Sequence, residues 1–299
     1  MTEPHLVSII IPTYNQAGLL RHALCSVINQ THSDWEAIII DNHSDDDTIS
    51  VVESFDESRF RLAQFRNNGV IAASRNEGIR MARGKWIAFL DSDDLWRPEK
   101  LRVCLEKAED NTDLIGHREA TFCGDVELSV SPYYSLADAT YRRLLFNHTC
   151  FSPSAALVKK SLIDGIGGFS EEPSLTTVED YDLWLRLVEV GAVVQFVGQV
   201  LSDYRLHEGN ASGSILRHMN AGLQAVELHF KRLRHKRAGD ELRLHRRRSM
   251  IIYGAARNFQ KAASWPEARK YFTRSLLNYP FNFRALAGLL ATFLSFRQT

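Results

Sequence analysis

Val7-Ser8-Ile9-Ile10-Ile11-Pro12-Thr13-Tyr14-Asn15 is the stretch that decides the fold. Its β-branched apolar run, stopped by Pro12, has the composition of a strand buried on both faces, as in a parallel sheet. Residues 17–30 follow with Leu19, Leu20, Ala23, Leu24, Val27 and Ile28 at helical spacing. The alternation then repeats. Ala37-Ile38-Ile39-Ile40 predicts a second strand ending in Asp41, and residues 48–55 a helix. Residues 60–65 predict a third strand and residues 72–82 a helix. Trp86-Ile87-Ala88-Phe89-Leu90 predicts a fourth strand that runs into Asp91-Ser92-Asp93-Asp94. Repeated strand–helix units imply an α/β fold, with a mostly parallel sheet and helices on both faces. Function in such sheets gathers at the carboxyl ends of the strands, where Asp41 and the Asp91 cluster fall.

Further along, residues 155–158 and 193–197 predict strands, and Gly165, Gly167 and Gly168 a tight loop. Residues 179–190 predict an amphipathic helix with Glu179, Asp180 and Asp182 in its first turn, where acids also complement the helix dipole. After residue 214 the pattern is helical throughout. A long basic stretch covers 215–248, and two or three apolar-periodic helices reach 296, with breaks at Trp265-Pro266 and Tyr279-Pro280. The spacing of Ala255, Ala256, Ala268, Tyr271, Phe272, Leu276 and Pro280 is like one tetratricopeptide-type helix pair, and one copy makes no array. The expected division is an α/β domain over 1–214 and a basic helical annex over 215–299.

Charge marks the same division. The chain of 299 residues is formally neutral, with 36 Lys+Arg and 36 Asp+Glu. Residues 1–214 hold 19 basic and 32 acidic side chains, a balance of −13, and residues 215–299 hold 17 and 4, a balance of +13. A basic half implies an anionic partner or docking on the acidic domain. The hydrophobic share of 44% excludes wholesale disorder. Cys25, Cys104, Cys123 and Cys150 show neither zinc nor disulfide spacing, which points to a reducing compartment. The first residues are unlike a signal peptide, and the apolar run 285–296 is too short to span a bilayer. A cytoplasmic protein, peripheral at the inner face of the membrane, is expected.

Several segments together resemble family 2 glycosyltransferases of the GT-A fold, a Rossmann-like nucleotide-diphospho-sugar transferase architecture. The opening strand quoted above is one. Ile40-Asp41-Asn42-His43-Ser44-Asp45-Asp46-Asp47-Thr48 is similar to the family's second-strand motif, with Asn42 and His43 in place of its second aspartate and its glycine. Asn67-Asn68-Gly69 with Ala72-Ala73-Ser74-Arg75-Asn76-Glu77-Gly78 resembles its glycine-arginine-asparagine segment. Phe89-Leu90-Asp91-Ser92-Asp93-Asp94 resembles its DxD motif. Gly167-Gly168-Phe169, Val178-Glu179-Asp180-Tyr181-Asp182-Leu183-Trp184-Leu185-Arg186 and Tyr204-Arg205-Leu206-His207 complete a series in family order over residues 6–212.

The resemblance implies an inverting, metal-dependent transfer of a sugar from a nucleotide-sugar, expected to be a UDP-sugar, to a hydroxyl of a saccharide or lipid-linked acceptor. The setting it implies is polysaccharide, lipopolysaccharide or glycoconjugate synthesis. A leaving diphosphate develops negative charge, which Mn²⁺ or Mg²⁺ held between carboxylates and phosphate oxygens stabilises. By resemblance Asp93 is the direct metal ligand, Asp91 holds the donor ribose or joins the metal shell, and His207 reaches metal or diphosphate. Asp41 reads the uracil ring, with Pro12 and Tyr14 lining the base pocket. Arg75 pairs with diphosphate or the base pocket. Asp180 is the general base, and Glu179 orients the acceptor or the base.

Plainer roles stand beside these. Tyr14 as core packing, Arg75 as a salt bridge to Asp41 or Asp91, His207 as a surface or cap residue, and the Asp-rich turn as a cap of the following helix all fit the residue types. Trp184 and Arg186 fit packing and a buried ion pair. Two other functional classes also use this kind of sheet. A sugar nucleotidyltransferase needs a Gly-rich phosphate loop after strand one, where Pro12-Thr13-Tyr14-Asn15 stands instead. A non-catalytic nucleotide-sugar-binding scaffold is disfavoured because no carboxylate of the set is missing. The cations Lys231, Arg232, Arg234, Lys236, Arg237, Arg243, Arg246, Arg247 and Arg248 form a belt without aromatic interleaving, so no nucleic-acid partner is expected. The belt fits an anionic membrane surface, an intramolecular dock or a solvated face.

Overall fold

The computed structural model describes residues 6–147, 151–207 and 214–294. Cys150 and the last two positions of the 285–296 run lie outside them. The chain divides into two compact units. The first comprises residues 1–141, 149–171 and 182–208, and the second 142–148, 172–181 and 209–299.

Every residue of β1 (Val7–Thr13) and β2 (Trp35–Asp41) is buried, as a strand covered on both faces requires. The units α1 (Ala17–Ile28), α2 (Thr48–Glu53), β3 (Phe60–Gln64), α3 (Ile71–Met81) and β4 (Trp86–Phe89) follow as the sequence predicts. β1 pairs in parallel with β2 and β4, and β2 with β3. After these come β5 (Leu95–Trp96), α4 (Lys100–Lys107), β6 (Leu114–Cys123), β7 (Val126–Val130), α5 (Tyr141–Phe146), β8 (Ala156–Lys159), α6 (Lys160–Gly165), α7 (Glu179–Glu189) and β9 (Val194–Arg205). Among the described residues nine strands form one sheet in the order β3-β2-β1-β4-β8-β6-β9-β5, with β7 on β6. The β3 to β4 half is parallel. Beyond it the sheet is mixed, because β8 runs antiparallel to both β4 and β6, while β6 and β9 are parallel. Sequence reasoning missed β5, β6 and β7, which lack the strand–helix rhythm of the first hundred residues.

Alternation along β1 sorts the helices onto two faces. Val7, Ile9 and Ile11 pack with Leu20, Ala23, Leu24 and Val27 of α1 and with Leu101 and Cys104 of α4. Ile10 faces the other way, toward α3, and Gly78 permits that approach. A Cβ on Gly78 would fall 2.5 Å from Ile10 Cγ2.

The second unit is built on α8 (Ile215–Arg232), α9 (Asp240–Lys261), α10 (Trp265–Asn278) and α11 (Phe283–Leu294). The basic stretch 215–248 is therefore not one helix. It breaks at residues 233–239, where Gly239 takes a left-handed φ of 86° and Asp240 opens α9. The Asp240 carboxylate accepts the Arg237 N–H at 2.7 Å and pairs with Arg142. Ala255, Ala256 and Ala268 let α9 and α10 pack closely as an antiparallel pair round Tyr271 and Phe272. Part of the cationic belt is spoken for inside this unit: Arg248 pairs with Glu227, and Arg247 donates to the Asn147 carbonyl and lies over the Tyr181 ring. Lys231, Arg232, Arg234, Lys236 and Arg237 stay exposed. Among the described residues, no helix is long and apolar enough to cross a membrane.

The packing at Gly78 makes a stability prediction. Alanine there gains up to about 1 kcal/mol of helix propensity, but overpacking a filled core costs about 1–3 kcal/mol. With Ile10 wholly buried, the steric loss should win. Gly78→Ala should lower the melting temperature by a few degrees, at roughly 2–4 °C per kcal/mol for a chain of this size. An unchanged or raised melt would mean that α3 can back away from β1.

Candidate active site

β1 lies between β2 and β4, with Thr13 in register with Asp41 and Ile10 with Phe89. The carboxylate that ends β2 and those that follow β4 thus stand on either side of the segment 12–14. Pro12 is buried in the strand, and Tyr14 is 52% exposed beyond it. Tyr14 is therefore not a core residue.

The second-strand motif folds into a hydrogen-bonded loop. Asp41, with no exposed surface, accepts from the Ser44 hydroxyl at 2.6 Å, from the Ser44 N–H and from Gln64 Nε2. A base would reach this carboxylate only by displacing Ser44. His43 takes a φ of 55°, the left-handed conformation that a glycine adopts most readily. Asn42 Oδ1 receives the Asn67 N–H at 2.9 Å, tying this loop to the segment before α3. Asp46 accepts the Ala17 N–H at the start of α1 and the Thr48 N–H at the start of α2. Burial opposes its charge, but these bonds and that of the Thr48 hydroxyl hold its pKa below the usual carboxylate value. Two helix starts thus share one capping carboxylate, a role the motif's spacing did not announce.

The acidic loop after β4 is held from below. Asp94 N–H closes a turn onto the Asp91 carbonyl, and the Asp91 N–H donates to Ser154 Oγ at 3.1 Å. Ser154 in turn donates to Asp94 Oδ2 at 2.6 Å, while the Arg205 N–H reaches Asp94 Oδ1. Asp94 is a buried brace, and Asp91 and Asp93 are left partly open to solvent. His207 Nε2 lies 2.9 Å from Asp93 Oδ2. Beneath them Glu119 accepts from the hydroxyls of Ser152 and Ser202 at 2.8 and 3.0 Å. Burial, then the neighbouring carboxylates, pushes Asp93 and Asp94 above their ordinary values. Burial pushes Glu119 up to about 7. Lys100 is wholly buried 3.2 Å from the Trp96 ring centre, and burial drives its pKa far down. Ser154, Glu119 and Lys100 carry no motif, and sequence reasoning missed them.

Arg75 is buried and bonds Asp91 Oδ1 at 2.7 Å, with its guanidinium 5.4 Å from the Phe169 ring centre. Of its two foreseen salt-bridge partners, Asp91 is the one it meets. Next to it, Asn76 exchanges two hydrogen bonds with the Phe169 backbone at 2.8 and 2.9 Å. Gly168, with a φ of 73°, is the only residue type that fits against Asn76, since a Cβ would fall 2.5 Å from Oδ1. Two distant motifs therefore interlock through one asparagine.

Glu179 and Asp180 belong to the second unit, at the start of α7. Glu179 is buried and accepts the Thr177 N–H at 2.8 Å, and Thr177 Oγ1 lies 3.1 Å from His218 Nδ1. Asp180 is half-buried, and its Oδ1 accepts the Tyr181 N–H at 2.7 Å. Tyr181 itself donates to the Leu144 carbonyl. In the first unit Arg186 bonds Asp182 at 2.7 Å, and Trp184 packs on Phe151, which fits the packing and ion-pair roles foreseen for Trp184 and Arg186.

Among the described residues, no three His, Cys, Asp or Glu side chains converge as a ready metal cage. The donor set nevertheless fits a hard divalent cation that completes its shell from phosphate and water. Asp91 and Asp93 offer oxygen ligands at the open side of the loop. Burial first, then the charge of Asp91, raises the Asp93 pKa, and a bound cation would relieve the second of these.

The chain is similar to known proteins. The sequence model of glycosyl transferase family 2 matches residues 8–167. An Escherichia coli protein, UDP-Glc:alpha-D-GlcNAc-diphosphoundecaprenol beta-1,3-glucosyltransferase WfgD, is 29% identical over 71% of this chain and 81% of its own. S. aureus TarS 1–349, solved with UDP-GlcNAc, superposes with a TM-score of 0.65 at 15% identity, covering 98% of this chain and 91% of that one. The mannosyltransferase PcManGT of Pyrobaculum calidifontis, solved with GDP-Man and Mn²⁺, gives 0.62 at 20% identity over 98% and 87%. The likeness to both structures is one of fold, and that fold is GT-A, here followed by a C-terminal helical region.

The buried Glu119 makes stability depend on pH. Its folded pKa lies above the ordinary glutamate value, so its contribution is complete below about pH 4.5 and is lost as pH rises through about 7. At about 1.4 kcal/mol per unit, the loss is on the order of 3 kcal/mol at most. Glu119→Gln, which keeps the acceptor for Ser152 and Ser202, should therefore raise the melting temperature at pH 8 and leave it little changed at pH 5. Equal shifts at both pH values would show that Glu119 is not protonated in the fold.

Proposed function

The chain belongs to glycosyl transferase family 2, and from that premise we propose that it transfers a sugar, with inversion, from a UDP-sugar to a hydroxyl of a lipid-linked or saccharide acceptor in cell-surface polysaccharide synthesis. The observation that carries the reading is the open Asp91–Asp93 edge, backed by Arg75 and His207, at the carboxyl end of the parallel strands. The UDP-GlcNAc of TarS and the UDP-Glc and diphosphoundecaprenol in the name of WfgD support the choice of donor and acceptor class. The family premise sets aside the nucleotidyltransferase reading.

The chain's own residues have distinct parts in this proposal. Pro12 and Tyr14 line the base pocket, and Asp41 reads the uracil edge once Ser44 is displaced from its carboxylate. Arg75 fixes Asp91 and adds positive charge beside the diphosphate. Asp93 and Asp91, with His207, would hold a divalent ion such as Mn²⁺ or Mg²⁺, which when bound stabilises charge on the leaving diphosphate. Asp180 takes the proton from the acceptor hydroxyl as its oxygen bonds to the anomeric carbon, and the bond from that carbon to the diphosphate oxygen breaks. The products are the glycosylated acceptor and a nucleoside diphosphate. Glu179, tied to the Thr177 backbone, orients the start of α7 for this step. We assign the catalytic fold to residues 1–214 and leave 215–299 as a separate helical region.

Two outcomes follow. EDTA should abolish donor hydrolysis and transfer, Mn²⁺ or Mg²⁺ should restore both, and Asp93→Ala should stay inactive with metal while melting like wild type. Full activity in EDTA would remove the metal from the mechanism. Asp180→Asn should bind UDP normally by calorimetry yet transfer sugar about 10²–10⁴-fold more slowly, the usual loss on removing a general base. A wild-type rate in that variant would move the proton to another carboxylate.

A further inference from the structure

α11 packs inward through Ala285, Gly288 and Thr292, with Leu289 partly buried beside them. Ala285 and Thr292 are buried, and a Cβ on Gly288 would fall 2.5 Å from the Phe272 ring. Its large apolar residues stand on the opposite side: Phe283 is 73% exposed, Leu286 43%, Leu290 57% and Phe293 56%. At 3.6 residues per turn these four fall within roughly 80° of one helix face. Phe281, in the turn before α11, and Leu277, near the end of α10, are also exposed, at 66% and 80%, and the Phe283 N–H bonds the Phe281 carbonyl. Scattered exposed apolar residues are ordinary, but four large ones gathered on one helix face mark an interaction surface.

From Ala268 to Leu294, over the rest of α10 and all of α11, every charged residue is basic: Arg269, Lys270, Arg274 and Arg284. The Arg269 guanidinium lies 4.5 Å from the Phe293 ring centre and donates to the Thr292 carbonyl, so a cation borders the apolar strip directly. We propose that this face of α11 docks the second unit on an anionic lipid bilayer, with its apolar side chains between the headgroups and the surrounding cations on lipid phosphates. A helix of 12 residues rises only about 18 Å and cannot cross a hydrocarbon core of about 30 Å, so it lies in the interface. A second copy would also cover the apolar strip, but it would bring an equally basic surround against this one, whereas acidic headgroups complement it. The belt at residues 231–237 is a separate exposed cluster, and the docking does not depend on it.

The test is flotation of the full chain with vesicles of phosphatidylcholine alone and of phosphatidylcholine mixed with phosphatidylglycerol. Wild type should float with the acidic vesicles only, and less as salt rises. Leu286→Glu with Leu290→Glu should weaken that binding by about tenfold or more, since two charges then enter the apolar layer. Leu242→Glu, an equally exposed leucine on α9, should float as wild type does. Donor hydrolysis, read on the same samples, should be unchanged in all variants, which separates docking from the transferase reading and shows the fold intact. Undiminished flotation of the double variant, or no flotation of wild type with acidic vesicles, overturns the proposal. So does a wild-type dimer in light scattering that the double substitution dissolves, since the face would then belong to a second copy.

Discussion

Crowding Asp91, Asp93, Asp94 and Glu119 round the end of β4 is the constraint on which the first unit depends. Burial first, and neighbouring like charges after it, raise the pKa values here, and without compensation the loop would either protonate or open. The compensation comes from far along the chain. Arg75 arrives on α3, Ser152 and Ser154 in the turn before β8, Ser202 and the Arg205 N–H on β9, and His207 just beyond it. The mixed half of the sheet has a chemical purpose in this light. β8 and β9 bring hydroxyls and N–H groups under a loop that the parallel half delivers.

The same economy governs the Arg75–Asn76 pair. Two adjacent helical residues serve different elements, one bonding the acidic loop and the other the Phe169 backbone. Gly168 is the complement of Asn76, since its lack of a Cβ leaves room for the amide and its positive φ turns the chain there. Loss of either would reach Arg75, whose guanidinium also lies over Phe169. The neighbouring loop uses Asn42 and His43 where the family carries aspartate and glycine. Asn42 still ties the loop to Asn67, and His43 accepts the left-handed backbone that a glycine would take more easily.

The second unit is organised by polar contacts at its helix ends and by small residues at its helix contacts. Ser249, Ser275 and Asn282 form a buried knot at 2.8 to 3.1 Å that joins α9 and α10 to the turn before α11. Asn282 also receives the Ala285 N–H at the start of α11. With Ala285, Gly288, Thr292 and the partly buried Leu289 turned inward, Phe283, Leu286, Leu290 and Phe293 are left pointing outward. That inversion of the usual amphipathic pattern sets this helix apart.

The sequence by itself determined the parallel half of the sheet, the helices on its two faces and the place of the acidic loop. Period-two and period-3.6 patterns over Val7, Ile9, Ile11, Leu20, Leu24 and Val27 are local, and burial on both faces leaves an apolar strand no other fate. The candidates Asp91, Asp93, Arg75 and Asp180 could be put forward because they stand in short strings that resemble motifs of the family. What surrounds them could not be. Ser154, Glu119 and Lys100 have no signature, because their roles arise from neighbours tens of residues away. Nor could residue type tell that Asp41 would be sealed beneath Ser44, that Tyr14 would stand in solvent, or that Arg248 would be paired with Glu227 inside the unit. The basic stretch 215–248 showed a helical pattern without a boundary, and the left-handed Gly239 with the capping Asp240 sets where a new helix begins. Pattern fixes which residues want burial. Packing decides which partner each buried charge finds, because that depends on distances between elements that no local spacing encodes.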